Sequence, residues 1–283
     1  MDKILAWIRR RPVSSAGLAA LAILAIFTLT VVTKTPGSDL RWDEHLAHMP
    51  KIVERPDGVS LAPVIDWAYD ANGPVSKTET SFDASYADLR HIWFMVEPQP
   101  GGEYAAHTLV LFEFAGDRIV GVSVEARLEQ GETYSATDGV FNNYELAFMW
   151  GSAKEFLTRR AIFLKKDLYL YPLKLTPEQQ LTFFRSMLAT TQDIEVHPRF
   201  YNTFTSNCTN ELAKAAHLGW HYSWVLTGYS PQRLFSLGLI PGASFDAAKA
   251  GAKIDAEIRS WNSLPSPDFD RALAAELRRR YGE

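Results

Sequence analysis

Cysteine is almost absent from this 283-residue chain: Cys208 is the only one. No internal disulfide can form, and no set of thiolates can hold zinc. Glycine-rich phosphate cradles and C-x-x-C pairs are also missing, which removes the commonest nucleotide-binding and thiol–disulfide motifs. Gly121-Val122-Ser123-Val124-Glu125 lacks the second glycine of a nucleophile elbow, which argues against a serine hydrolase. His45 and His48 stand three apart with no third ligand nearby, so no metal and no cofactor is expected. Basic residues form no cluster interleaved with aromatics, and the net charge is only −4. Nucleic acid is therefore not an expected partner. Internal repeats, low-complexity tracts and a second long apolar run are absent as well.

The one long apolar run lies at the start. Lys3, Arg9, Arg10 and Arg11 precede a charge-free stretch from Pro12 to Thr33. About 20 apolar residues suffice to cross a bilayer, and positive charge before the run places the N-terminus in the cytoplasm. Leu29-Thr30-Val31-Val32-Thr33 is a poor signal-peptidase site, since small residues are lacking. The expectation is a retained single-pass anchor in the inner membrane with the rest of the chain in the periplasm. The boundaries read as a basic N-terminus (1–12), a transmembrane helix (13–33), a linker (34–42), one large domain (43–240) and a C-terminal helical extension (241–283).

Within the domain, 39–75 is broken by proline and glycine and reads as irregular. Runs 89–97, 104–114, 118–128 and 167–175 read as strands. Ala115-Gly116-Asp117 is a hairpin turn. The stretch 143–158 has mixed periodicity and is expected to be partly helical. Thr176, Pro177 and Gln179 form a strong helix start, with Leu181, Phe184 and Leu188 following at helical spacing. A further helix is expected from Cys208 to Leu218 with Gly219 just beyond its end, and a last one over 267–281. Hairpin-linked strands and separate helices indicate an α+β fold.

Cys208 follows a polar loop and opens its helix. Free backbone N–H groups and the partial positive charge at a helix start favour thiolate over thiol. A thiol nucleophile needs a base, and seven histidines compete. His217, nine positions on, lies on the far side of the same helix. His107 opens the first hairpin strand behind two alanines. Alternation puts His107, Leu109, Leu111 and Glu113 on one face, and Ser123, Glu125 and Arg127 share a face of the return strand. A three-residue loop pairs Phe114 with Arg118, Val110 with Val122 and His107 with Glu125; a two-residue loop would mismatch the apolar faces. The preferred register sets a carboxylate across from the imidazole, where it can fix the tautomer.

Three strings carry a family resemblance: Ala106-His107-Thr108-Leu109-Val110-Leu111-Phe112-Glu113-Phe114; Ser123-Val124-Glu125-Ala126-Arg127; and Phe200-Tyr201-Asn202-Thr203-Phe204-Thr205-Ser206-Asn207-Cys208-Thr209-Asn210. Together with Tyr144-Glu145-Leu146 and Tyr169-Leu170-Tyr171, they resemble the bacterial periplasmic domains named after the lipoprotein N-acyltransferase Lnb. The order His, acid, Cys also resembles the circularly permuted papain-like fold, shared by lecithin:retinol acyltransferase relatives and some peptidoglycan peptidases. The resemblance implies an antiparallel sheet packed against helices, with Cys208 as nucleophile, His107 as base and Glu125 as orienter.

The expected activity is thiol-dependent acyl transfer or hydrolysis on lipid or lipoprotein substrates, through a thioester. The Cys208 N–H is one natural oxyanion donor. Asn207 or Asn202 is a candidate second, and Arg127 a candidate substrate contact. Arg159 and Arg160 read as ordinary surface arginines before they read as headgroup ligands. A peptidoglycan peptidase or amidase, and a non-catalytic module for an envelope protein partner, are the alternatives.

Overall fold

The computed structural model describes residues 12–37, 40–100 and 102–282. Helix α1 (Pro12–Val32) comes first. Five short strands follow: β1 (Lys51–Arg55), β2 (Gly58–Ile65), β3 (Ala68–Asp70), β4 (Gly73–Ser76) and β5 (Glu79–Ser85). Three long strands make a meander: β6 (Leu89–Pro98), β7 (Ala106–Phe114) and β8 (Arg118–Arg127). Short helix α2 (Ala136–Val140) leads to β9 (Tyr144–Ser152), which runs straight into α3 (Ala153–Thr158) and a π-helical turn (Arg159–Phe163). Then come β10 (Tyr169–Pro172), α4 (Pro177–Val196), β11 (Phe200–Tyr201) and α5 (Cys208–Ala215). The chain ends in α6 (Ser230–Ser236), α7 (Phe245–Ala252), α8 (Asp255–Ser260) and α9 (Ser266–Tyr281).

The strands build one sheet in the order β1-β2-β9-β8-β7-β6-β10, with β5 on β2 and β11 on β9. β3 and β4 pair separately. Every pairing in the sheet is antiparallel except a single parallel bridge between β2 and β9, Ile65 to Gly151. The fold is therefore mixed α+β, a sheet carrying several helices. The hairpin register is the three-residue one: Phe114 faces Arg118 and Val110 faces Val122.

Alternation along β7 feeds two cores, one on each side of the sheet. Val110, Phe112 and Phe114 join Val122, Val124, Phe148 and Trp150 beneath Phe183, Phe184 and Leu188 of α4 and Leu212 of α5. Leu109 and Leu111 pack on the other side with Trp93, Met95, Phe156, Phe269, Leu273 and Leu277. Helices α8 and α9 close the second face of the sheet through Ile258, Phe269, Leu273 and Leu277. Thr176 caps α4 with a full capping box, and Pro177 sits in its first turn.

Three expectations are corrected. Within the segment read as irregular (39–75), residues 51–55, 58–65, 68–70 and 73–75 are strand, with turns at Asp57-Gly58 and Asn72-Gly73. The first half of 143–158 is strand β9, buried on both faces, so no alternation marks it. Helix α5 stops earlier than Leu218, and the left-handed residue beyond it is His217 (φ 54°), not Gly219.

In α1, Leu18, Leu21, Ile23, Leu24, Ile26 and Leu29 are exposed. Its side chains are described only for 16–29 and 31. Among the described residues no helix is long and apolar enough to cross a membrane, and the basic N-terminus expected over 1–12 falls mostly outside them.

Gly121 of β8 sits where α3 presses on the sheet. A Cβ there would lie 2.7 Å from both Leu111 Cδ2 and Phe156 Cδ2, side chains already fully buried. Overfilling a packed core costs about 1–3 kcal/mol. Gly121→Ala is expected to lower the urea midpoint accordingly with an unchanged denaturant slope. An unchanged midpoint would show that Phe156 has room to move.

Candidate active site

The site forms where the start of β7 meets the start of α5. Asn207 is the N-cap of α5: its side-chain oxygen accepts from the N–H groups of Thr209 (2.9 Å) and Asn210 (2.8 Å). Its amide nitrogen donates to the carbonyls of Thr203 and Trp224, both at 2.9 Å. Asn210 donates to the same Trp224 carbonyl at 2.6 Å. The Thr108 and Thr209 hydroxyls hydrogen-bond at 2.9 Å and pin the helix start to β7. Cys208 is thereby fixed in the first turn, 4% exposed, in reach of the neighbouring His107.

His107 is held from its other side. Its Nε2–H donates to the Ser123 hydroxyl at 2.9 Å and lies 3.3 Å from Glu125 Oε1. Ser123 in turn donates a short hydrogen bond to Glu125. With Nε2 so engaged, Nδ1 is the ring nitrogen left for the contact with Cys208. The β7–β8 register, carried on from Leu109–Ser123, sets His107 opposite Glu125.

Charge follows this geometry. At Cys208, burial pushes the thiol up. The hydrogen bond and charge of His107, with the Thr108 N–H and hydroxyl, outweigh it and pull the pKa below the ordinary thiol value. At His107, burial opposes the charged ring. The Glu125 charge and the hydrogen bonds to Cys208 and Glu125 outweigh it and raise the pKa to about 10. Burial also works against the Glu125 carboxylate, yet His107, Arg160 and the Ser123 hydroxyl hold it well below the usual range. Both shifts favour the thiolate–imidazolium form of the pair, with the Glu125 carboxylate behind it.

Among the described residues none accepts from the Cys208 N–H, so that donor is open at the helix start. The other candidates fall elsewhere. Both hydrogens of the Asn207 amide are taken by its loop contacts. Asn202 donates to Val140 O and Asn142 Oδ1 and accepts from Phe204 and Thr205, so it shapes the loop before the helix. Arg127 lies away from Cys208: it donates to the carbonyls of Leu46 (2.9 Å) and Ala47 (2.6 Å) and stacks on Trp42. It straps the segment after the linker to β8. Both asparagine side chains are committed to the loop, while Arg127 also lines a cavity with Trp42, His48 and Glu145.

Two residues of the cluster escape a reading of the sequence. Ser123 joins the imidazole to the carboxylate, and its i, i+2 relation to Glu125 on one strand face is the available signal. Arg160 is not the surface residue that its sequence neighbourhood implies. It is 1% exposed, from the π-helical turn, with Nε 3.1 Å from Glu97 Oε2 and a terminal nitrogen 3.4 Å from Glu125 Oε1. Three other histidines are engaged elsewhere: His45 with buried Glu155 (2.8 Å), His48 with Glu79 (2.8 Å), His197 with Asp193 (3.0 Å).

No curated protein and no solved structure matches the chain. A family profile does: the Lnb N-terminal periplasmic domain spans residues 80–224, more than half of the 283 residues. Since that span contains Glu97, His107, Ser123, Glu125, Arg160 and Cys208, the whole cluster falls inside the matched region, and the chain belongs to the Lnb N-terminal periplasmic domain family.

Proposed function

We propose that this protein is a periplasmic cysteine-dependent acyltransferase or acyl hydrolase, of circularly permuted papain-like design, held at the inner membrane by α1 and acting on lipid or lipoprotein. The observation that carries the reading is the hydrogen-bonded row His107–Ser123–Glu125 beside Cys208 at the start of α5. The Cys208 thiolate attacks an ester carbonyl, and the tetrahedral oxyanion is met by the Cys208 N–H. His107, as imidazolium, gives its proton to the leaving alkoxide while the C–O bond breaks and the thioester remains. An amine or water then attacks the thioester. Neutral His107 takes its proton, and the thiolate–imidazolium pair returns with the acyl group on nitrogen or as free acid.

Lipid is favoured over peptide by the surroundings. Tyr134, Phe141 and Phe204 are exposed, and Tyr134 packs edge-on against Tyr201, the tyrosine beside Cys208. Phe27 of α1 meets Phe141 at 5.3 Å, which ties the apolar helix to this rim. Aromatic rims of this kind suit a bilayer interface.

The test is intact-mass spectrometry after incubation with phospholipid vesicles and, separately, with a muropeptide. An acyl-sized mass gain from phospholipid, absent in Cys208→Ala, is the expected result. A gain from the muropeptide alone would replace lipid chemistry with peptidase chemistry. No adduct and no turnover with either would remove the enzymatic reading and leave a binding module of the envelope.

A further inference from the structure

His107 stands in the middle of a row. On one side the β6–β7 register sets Glu97 directly opposite it. On the other, Glu125 lies across from it on β8 and touches Nε2 at 3.3 Å. Directly paired residues on neighbouring strands share a face, so an imidazole sits between two carboxylates on one side of the sheet. Both are sequestered: the Glu97 side chain is 5% exposed and that of Glu125 21%.

One cation bridges the two ends of this row. The Arg160 guanidinium has Nε 3.1 Å from Glu97, a terminal nitrogen 3.4 Å from both Glu125 Oε1 and Ser123 Oγ, and its other terminal nitrogen 3.1 Å from the Phe156 carbonyl. It comes from the π-helical turn that follows α3. The extra residue of such a turn redirects a side chain, and π-helical turns concentrate at functional sites. A fully buried arginine between two carboxylates is a weak source of stability, because desolvation cancels most of the attraction. Its placement calls for another account.

Electrostatics supplies one. Two uncompensated carboxylates beside an imidazole would hold its proton tightly, and an imidazolium that will not release its proton is a poor acid for a leaving group. A cation shared by both carboxylates moderates that grip and leaves Glu125 aligned through Ser123. The titratable groups around His107 are Glu97 from β6, Glu125 from β8, Cys208 from α5, Tyr201 from β11 and Arg160 from the π turn. Tyr201 stays neutral, since burial and then the neighbouring Cys208 raise its pKa well above the ordinary value.

We propose that Arg160 is a positioning residue that sets the basicity of His107, by sharing the two carboxylates, Glu97 and Glu125, that flank the imidazole. The proposal rests on the thiolate–imidazolium reading of the site, and its test separates the two.

The experiment is the pH dependence of Cys208 alkylation by iodoacetamide, with His107 followed by side-chain NMR, in the wild type, Arg160→Gln, Arg160→Lys and Glu97→Gln. Cys208 is the only thiol in the chain, so the signal has one source. Loss of the cation in Arg160→Gln is expected to move the proton-binding steps of both Cys208 and His107 to higher pH by about one unit. Loss of the anion in Glu97→Gln moves both to lower pH by a similar amount. Arg160→Lys, which keeps the charge, stays closer to the wild type. A merely structural arginine would change the melting temperature and leave these steps in place, and that result would overturn the proposal. If Arg160→Gln does not fold, the direction of the Glu97→Gln shift decides. A wild-type thiol that alkylates only above its ordinary pKa would instead overturn the catalytic reading itself.

Discussion

Cys208→Ala is expected to abolish turnover, by about 10⁴-fold or more, and to leave the fold intact. The size of the effect follows from what is removed. A thioester cannot form without sulfur, and backbone donors and substrate contacts that remain in such sites supply only about 10³–10⁴-fold over water on their own. The fold should survive because Cys208 contributes little to holding its helix. Asn207 caps α5 through two backbone N–H groups, Asn210 ties it to Trp224, and Thr209 bonds Thr108. Removing one small buried sulfur costs on the order of 1 kcal/mol. Cys208→Ser is the sharper comparison. It keeps a nucleophile of nearly the same size, but a hydroxyl is not ionised by an imidazolium neighbour as a thiol is. Ser should therefore be nearly as inactive as Ala and form no stable adduct. The measurements are acyl release by chromatography and circular dichroism of each variant. Full activity in Cys208→Ala would end the nucleophile assignment.

How much of this site is legible in the sequence depends on local pattern. The β7–β8 hairpin is readable because period-two alternation and one turn length together admit one register that keeps Val110 and Val122 on the same face. That register by itself carries His107 to Glu125. Strand β9 is not readable, because Tyr144–Ser152 is buried on both faces and shows no period. The strands before β6 are hidden by their turns, since Pro and Gly close to one another mark loops whether or not strands lie between. Asn207 occupies the expected position and is the N-cap of α5, the part that a polar residue before a helix most often plays. Arg160 is out of reach of sequence reasoning. Arg159 and Arg160 look like a solvated pair along the chain, and only the π-helical turn sends the second inward to Glu97 and Glu125.

The last prediction concerns the base. His107→Ala is expected to lower turnover by about 10²–10⁴-fold and to change the chemistry of the thiol in a measurable way. In the wild type the reactive pair is expected between two limits: above the lowered pKa of Cys208 and below about 10, the raised pKa of His107. Below the first limit the sulfur is protonated and cannot attack. Above the second the imidazole is neutral and cannot protonate the leaving group, so acylation fades even though thiolate persists. Removing the ring removes the hydrogen bond and the charge that offset burial at Cys208. What then remains is a thiol that is 4% exposed, with the Thr108 contacts, the Thr209 hydroxyl at 3.8 Å and the helix start in its favour. Its alkylation midpoint should rise from its lowered value to about 8.5 or higher, and the rate at pH 6.5 should fall by at least about tenfold. Glu125→Gln probes the same arrangement from behind. With the carboxylate gone, the imidazolium loses its largest favourable partner, so the alkaline limit near 10 moves down while a thiolate still forms. A His107→Ala profile that superimposes on that of the wild type would mean that the helix start alone ionises Cys208, and that His107 serves only to fill the space between β7 and α5.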